Sequence, residues 1–180
     1  MPSNHPGLDF ETIAIPNLDV AYRLALWLVR DPHLAQEVVQ DAMSRALSYF
    51  ASFRGGDGRA WLMQIVRNTA YTALAARRKS GQMLDEKTPF GAVSLMDVPD
   101  PGDNPEAALL RREDAARVEQ ALASLPVELR ECLVLKELEE LSYKEIAEIT
   151  GVPVGTVMSR LWRARQALIG SAVEGDAHEP

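Results

Sequence analysis

Apolar residues recur along most of this chain at spacings of three and four, the period of an amphipathic helix. Few segments alternate with the period of two that a strand requires. The pattern predicts a helix from about Leu18 to Val29, with Val20, Leu24 and Trp27/Leu28 on one face. Asp31-Pro32 marks the next start, because Asp caps free amides and Pro fits the first helical position. That helix is expected to run to about Phe50. Leu34, Val38, Ala42 and Tyr49, flanked by Val39, Met43, Leu47 and Phe50, give it a broad apolar surface. Glu37, Gln40, Asp41, Ser44 and Arg45 fall on its polar side as one stripe. Phe53-Arg-Gly-Gly-Asp-Gly58 reads as a loop, since its glycines oppose a helix. A helix restarts near Arg59 and reaches about Lys79, carrying Trp61, Leu62, Ile65, Val66, Thr69, Ala70, Ala73 and Leu74.

Residues 80–105 change character. Pro89, Pro99, Pro101 and Pro105 stand among glycines and acidic residues, which is linker composition. Helical pattern returns at Glu106, continues to about Ser124, breaks at Pro126 and resumes through Leu138. The expected fold class is all-α, two small helical domains joined by a flexible linker. An N-terminal arm covers 1–16, the first domain 17–80, the acidic Pro-rich linker 81–105 and the second domain 106–171. Residues 172–180 form a tail.

The second domain closes with the most informative segment. Ser142 can cap a helix, and Glu145 three residues later completes a capping box. Ile146, Ala147 and Ile149 supply its apolar contacts. Gly151 sits where the helix must end in a left-handed conformation, and Pro153 blocks its continuation. A second helix follows from about Val154, with Val157, Leu161, Ala164 and Leu168 in one buried stripe. Thr156, Ser159, Arg160, Arg163 and Arg165 occupy its other faces. A short helix, a Gly turn and a basic second helix make a helix-turn-helix, whose second helix enters the DNA major groove. A helical hairpin inside a bundle shares these features, so the motif needs its context.

The formal net charge is −7 and the isoelectric point about 5.0, which argues against a general nucleic-acid coat. The charge is uneven: residues 1–80 are slightly basic and 81–115 strongly acidic. Free chain is therefore expected to bind DNA weakly, since affinity depends on phosphate neutralisation. A larger partner would bring it to DNA. The lone cysteine, Cys132, lies in an apolar helical run and reads as a buried structural thiol. His5, His33 and His178 are scattered and suggest no metal, and no cofactor is expected. No signal peptide and no stretch of membrane-spanning length is apparent, so a cytoplasmic protein is expected.

Three segments, taken in order, resemble the sigma-70 family of bacterial RNA polymerase sigma factors. They match its extracytoplasmic-function (ECF) group, which keeps only regions 2 and 4. Asp31-Pro-His-Leu-Ala-Gln-Glu-Val-Val-Gln-Asp-Ala-Met43 is similar to region 2.2. Phe53 through Ala70 is similar to regions 2.3 and 2.4. Leu125-Pro-Val-Glu-Leu-Arg-Glu131, Leu141 through Glu148 and Gly155 through Arg165 are similar to region 4. The resemblance covers about 17–80 and 106–170.

It implies a protein that is no enzyme. It would bind core polymerase, recognise −10 and −35 promoter elements, help melt the duplex and answer to an anti-sigma factor. Glu37, Gln40, Asp41 and Arg45 match the surface that docks on the clamp helices of the largest catalytic subunit; without the family they read as a solvated face. The Gly-rich loop and Trp61 match the −10 reader. There the backbone could approach a flipped base, Arg54, Arg59 and Arg67 could hold phosphates, and Asn68 matches a single-strand pocket position. Trp61 reads equally as core packing. Arg77, Arg78 and Lys79 complement a helix dipole or hold upstream DNA. Thr156, Met158, Ser159, Arg160 and Arg163 are the −35 candidates. The family often has Lys or Arg at Met158; a methionine could pack on a thymine methyl instead. The alternative is a stand-alone helix-turn-helix regulator, which would not need the first domain.

Overall fold

The computed structural model describes residues 9–81 and 104–176. All but the ends of the linker, the first eight residues and the last four lie outside the described residues. The helices are α1 (Phe10–Ala14), α2 (Leu18–Val29), α3 (Pro32–Tyr49), α4 (Gly58–Lys79), α5 (Pro105–Ser124), α6 (Val127–Glu137), α7 (Tyr143–Thr150) and α8 (Val154–Asp176). Short 3-10 turns at Ile15–Asn17 and Phe50–Ser52 complete the elements. Among the described residues there is no strand.

The chain chemistry at the helix ends explains most boundaries. α2 stops where Arg30 adopts φ 57° and returns its N–H to Leu26. Asp31 then caps α3, accepting from His33 N at 2.9 Å and Leu34 N at 3.1 Å, with Pro32 in the first turn. Gly55 and Gly56 take φ of 87° and 102°, a conformation that a side chain would strain. Asp57 caps α4 through Ala60 N.

Three features differ from the sequence pattern. Phe10–Asn17, within the expected arm, is helical and docks on the first domain through Phe10, Ile13 and Ala14. Gly58 is not a loop residue but the first residue of α4. Its lack of a side chain serves close approach, since a Cβ there would meet Ile13 Cδ1 at 2.8 Å. The buried face of α3 is narrower than expected: Ala35, Val38, Ala42 and Ala46 line it, while Leu47 and Tyr49 are exposed. Small alanines let α3 lie close against α2 and α4, and the bulkier residues turn outward.

Trp27, Leu24, Leu28, Val29, Leu62, Met63 and Val66 are the large, fully buried side chains of the first domain. Leu135, Ile146, Ile149 and Leu161 play that part in the second. The two sets join in one apolar cluster, because α6 packs on α2 and α7 packs on α4. Phe10–Val29 is apolar enough for a membrane-length helix, but half of it is buried inside this bundle.

Candidate nucleic-acid interface

The helix-turn-helix is built as the sequence dictates. Ser142 Oγ accepts from Glu145 N at 3.2 Å, and Glu145 accepts from Ser142 N at 2.7 Å. That hydrogen bond and the capping geometry hold the Glu145 carboxyl below the usual carboxylate range. Gly151 adopts φ 71° and returns its N–H to Ala147, so the chain reverses sharply into α8. Val157, Leu161 and Ala164 bury one side of α8, with Leu168 half-buried beside them.

The remaining faces of α8 separate the −35 candidates. Met158, Ser159 and Arg163 are exposed, with Trp162 63% exposed beside them. Thr156 and Arg160 are only partly exposed, and Arg160 turns toward α6, where it meets Glu131. Trp162 was not among the sequence candidates. Its signal was available, since it lies four residues after Met158, off the buried stripe.

The Gly-rich loop and the start of α4 frame an open cleft of about 440 Å³. Phe53, Arg54, Trp61 and Gln64 line it, and Glu148 of α7 closes one side. Trp61 lies between the core and the cleft. Its ring packs on Phe53 at 4.7 Å between centroids and on Phe50 at 6.4 Å, yet part of it faces the cleft. Arg54 and Asn68 are exposed.

Arg59 and Arg67 are placed otherwise: both are engaged by acidic residues of the second domain. Arg67 Nε donates to Glu131 Oε2 at 2.9 Å, and its Nη2 to Oε1 at 3.1 Å. Its guanidinium also lies 4.2 Å from the Tyr71 ring centroid. Arg160 Nη1 reaches the same Glu131 Oε1 at 3.4 Å. Glu139 accepts from Arg23 at 2.8 and 3.1 Å and from Arg59 at 3.3 Å. Both carboxylates are almost fully buried. Burial pushes the Glu131 carboxyl up, against the opposing pull of Arg67. Glu131, Glu139 and Arg23 were absent from the sequence candidates, since nothing local marks a carboxylate for a partner 64 or 116 residues away.

Arg130 is a second junction. Its buried guanidinium donates to Ala123 O at 2.8 Å, Leu125 O at 3.3 Å and Leu28 O at 3.4 Å. It thus satisfies carbonyls at the ends of α5 and α2 together. Burial, with Arg30 nearby, lowers its pKa to about 10. Neighbouring Cys132 is fully buried, and burial pushes its thiol up to about 11, as suits a structural residue.

The polar stripe of α3 faces away from both domains' core. Glu37, Gln40, Asp41 and Arg45 are all exposed, and Arg45 pairs with Asp41 at 3.0 Å.

Comparison with known proteins places this geometry. The family model for sigma-70 region 2 matches residues 15–80, and that for sigma-70 region 4 matches 115–168. The RNA polymerase sigma-H factor of Pseudomonas aeruginosa is 39% identical over 151 residues, covering 81% of this chain and 76% of its own. The ECF RNA polymerase sigma-E factor of Escherichia coli K12 is 40% identical over 139 residues, covering 73% and 70%. Among solved structures, the sigma factor RpoE in complex with the anti-sigma factor NepR from Bartonella quintana matches with a TM-score of 0.70 and 27% identity. That match covers 91% of this chain and 96% of the other. The fold also matches CnrH, solved with the cytosolic domain of CnrY, at a TM-score of 0.63 and 23% identity. With a region 2 bundle, a region 4 helix-turn-helix and relatives of this closeness, the chain belongs to the sigma-70 family, in its ECF group.

Proposed function

We propose that this ECF sigma factor divides promoter recognition between the cleft beside Trp61 and the exposed face of α8. One observation carries this reading. An open cleft beside the Trp61 ring, lined chiefly by region 2 residues, and a solvent-facing second helix in the region 4 helix-turn-helix occur in one chain. Ser159 and Arg163 offer donors to base edges and phosphates of the −35 element, and Met158 offers an apolar surface to a thymine methyl. Trp61 gives a flipped −10 base a ring to stack on, Asn68 offers both donor and acceptor, and Arg54, Arg59 and Arg67 hold phosphates. Glu37, Gln40, Asp41 and Arg45 form the docking surface for core polymerase. The working compartment is the cytoplasm, where polymerase and promoter are. RpoE of Bartonella quintana, solved with the anti-sigma factor NepR, supports an anti-sigma factor for this chain as well.

The test is reconstitution. Genomic templates are transcribed by core RNA polymerase with the purified chain, and start sites are mapped. The expected result is initiation downstream of one shared pair of elements. Binding to DNA without any effect on where polymerase starts would favour a stand-alone regulator and overturn the reading.

A further inference from the structure

We infer that α1 is a positioning element for the −10 reader. Phe10 and Ile13, which stand outside the lining of the cleft, anchor the two ends of the Gly-rich loop and fix the Trp61 ring on which a base would stack. The inference rests on the reading of that cleft as the −10 site.

α1 has little order of its own. It has five residues, too few for a helix to persist alone in water. Asp9, at its N-cap, makes no capping hydrogen bond with its side chain. Its order comes from what it packs on. Ile13 and Ala14 are buried, and Asn17 Nδ2 donates to Ile13 O at 2.8 Å.

Those contacts converge on the loop. Phe10 meets the end where the chain enters it. Its ring stands edge-on to Phe50, with centroids 5.8 Å apart and planes at 69°. Phe50 stacks in turn on Phe53 at 6.2 Å, and Phe53 packs on Trp61 at 4.7 Å. Such pairs prefer particular orientations, because the electron-rich face of one ring attracts the electron-poor edge of the next. Ile13 meets the end where the chain leaves. Three of its side-chain carbons lie 2.8–3.2 Å from where a Gly58 Cβ would stand, so α1 rests directly on the backbone that opens α4. Between the anchors, Gly55 and Gly56 have no side chain with which to hold the loop, and nothing lies within 4 Å of where a Cβ would be. The anchors at its ends therefore set its course.

The consequence falls on base binding. A base that leaves the duplex loses its stacking, and a ring already held in place restores it without first being ordered. Phe53 and Trp61 both line the cleft. Without Phe10 their backing through Phe50 is lost, and the cost of ordering Trp61 falls on the incoming base. Phe10 is thus a positioning residue that touches no DNA.

The experiment uses full-length chain in holoenzyme with core RNA polymerase, and two fluorescent probes. One is a single strand carrying the −10 element found by start-site mapping; the other is a duplex carrying the −35 element alone. A series of the single strand replaces one base at a time by an abasic sugar. Wild-type holoenzyme should lose most affinity at one abasic position. Phe10→Ala should weaken the intact single strand by about three- to tenfold and leave binding to the −35 duplex unchanged. At the sensitive abasic position, Phe10→Ala and wild type should bind alike, because the missing contact is the one that Phe10 supports. Phe10→Tyr, which keeps the ring, should restore binding to the intact strand. Equal affinity of Phe10→Ala and wild type for the intact strand would overturn the inference. So would an undiminished loss at the abasic position or an equal loss on the −35 duplex, either of which marks general damage to the fold. Should Phe10→Ala fail to fold, Phe10→Leu, which keeps apolar bulk without a ring, is judged by the same outcomes. Failure of the −10 reading shows in wild type alone, which would then bind every abasic strand as well as the intact one.

Discussion

Arg77 Nη2 donates to Asp31 Oδ2 at 2.6 Å, joining the last turn of α4 to the residue that caps α3. Asp31 thus does two jobs, since its Oδ1 holds the first amides of α3. Partial burial works against the ionised carboxylate, but Arg77 and the two amides outweigh it and hold the pKa below the usual range. The folded state therefore prefers Asp31 ionised. Its contribution is present above the unfolded carboxyl pKa of about 3.9 and is lost as pH falls through the lower folded value. Urea unfolding should show Asp31→Ala destabilised by about 1–2 kcal/mol near neutrality. The gap from wild type should narrow in acid below that range. A gap that stays constant down to the lowest pH would rule out the ionised cap.

The capping box makes a parallel prediction for the recognition module. Ser142→Ala should cost about 1 kcal/mol. Gly151→Ala, which forces a side chain into the left-handed region, should cost about 1–2 kcal/mol. Both losses should appear in thermal unfolding, with the first shrinking in acid as Glu145 protonates. Equal stability of Gly151→Ala and wild type would mean that the turn relaxes to another conformation.

These local devices were legible because their chemistry is local. Asp31-Pro32, Ser142 with Glu145, and Gly151 each act on amides or carbonyls within four residues. The face of α3 was only half legible. Its apolar positions alone do not say that Ala46 is buried and Tyr49 is not, which depends on how closely α2 and α4 approach. The module junction was not legible at all. Glu139 stands in the run Glu137-Leu-Glu-Glu140, where its neighbour Glu140 is exposed. What selects Glu139 is the position of Arg23 and Arg59, 116 and 80 residues earlier, within reach of its carboxylate. Of the −35 candidates, the sequence grouped Arg160 with Arg163, because three residues apart puts both off the apolar stripe. Only the packing of α6 separates them.

Gly58 and Ile13 offer a test of the docked N-terminal helix. Ile13→Ala should cost about 2–4 kcal/mol as a buried aliphatic truncation. Gly58→Ala in wild type should also destabilise, because its Cβ would displace the Ile13 side chain. In the Ile13→Ala background the same change has room, and it removes a flexible residue from the first turn of α4. There it should be neutral or stabilising by about 0.4–1 kcal/mol. The double variant should therefore be more stable than the sum of the singles implies. Simple additivity would mean that α1 does not rest on Gly58 in solution.

The last prediction assigns the two arginines of the recognition helix. Arg163 is exposed on the face that carries Ser159 and Trp162, opposite the buried stripe. Arg160 lies on the flank, 16% exposed, with its guanidinium on Glu131. A helix set into the major groove by its outer face brings Arg163 to the base edges, while Arg160, once released, reaches the backbone. In holoenzyme, Arg163→Ala should relax preference at one −35 position by about 1–3 kcal/mol. Arg160→Ala should leave the preferred sequence intact and weaken all −35 variants alike, with a shallower salt dependence. The measurement is binding to a panel of −35 variants at two salt concentrations, with far-ultraviolet circular dichroism to confirm that both variants fold. The reverse outcome, Arg160→Ala changing the preferred base while Arg163→Ala does not, would mean that the helix presents its flank to DNA. The division of the α8 surface drawn from its burial would then be wrong.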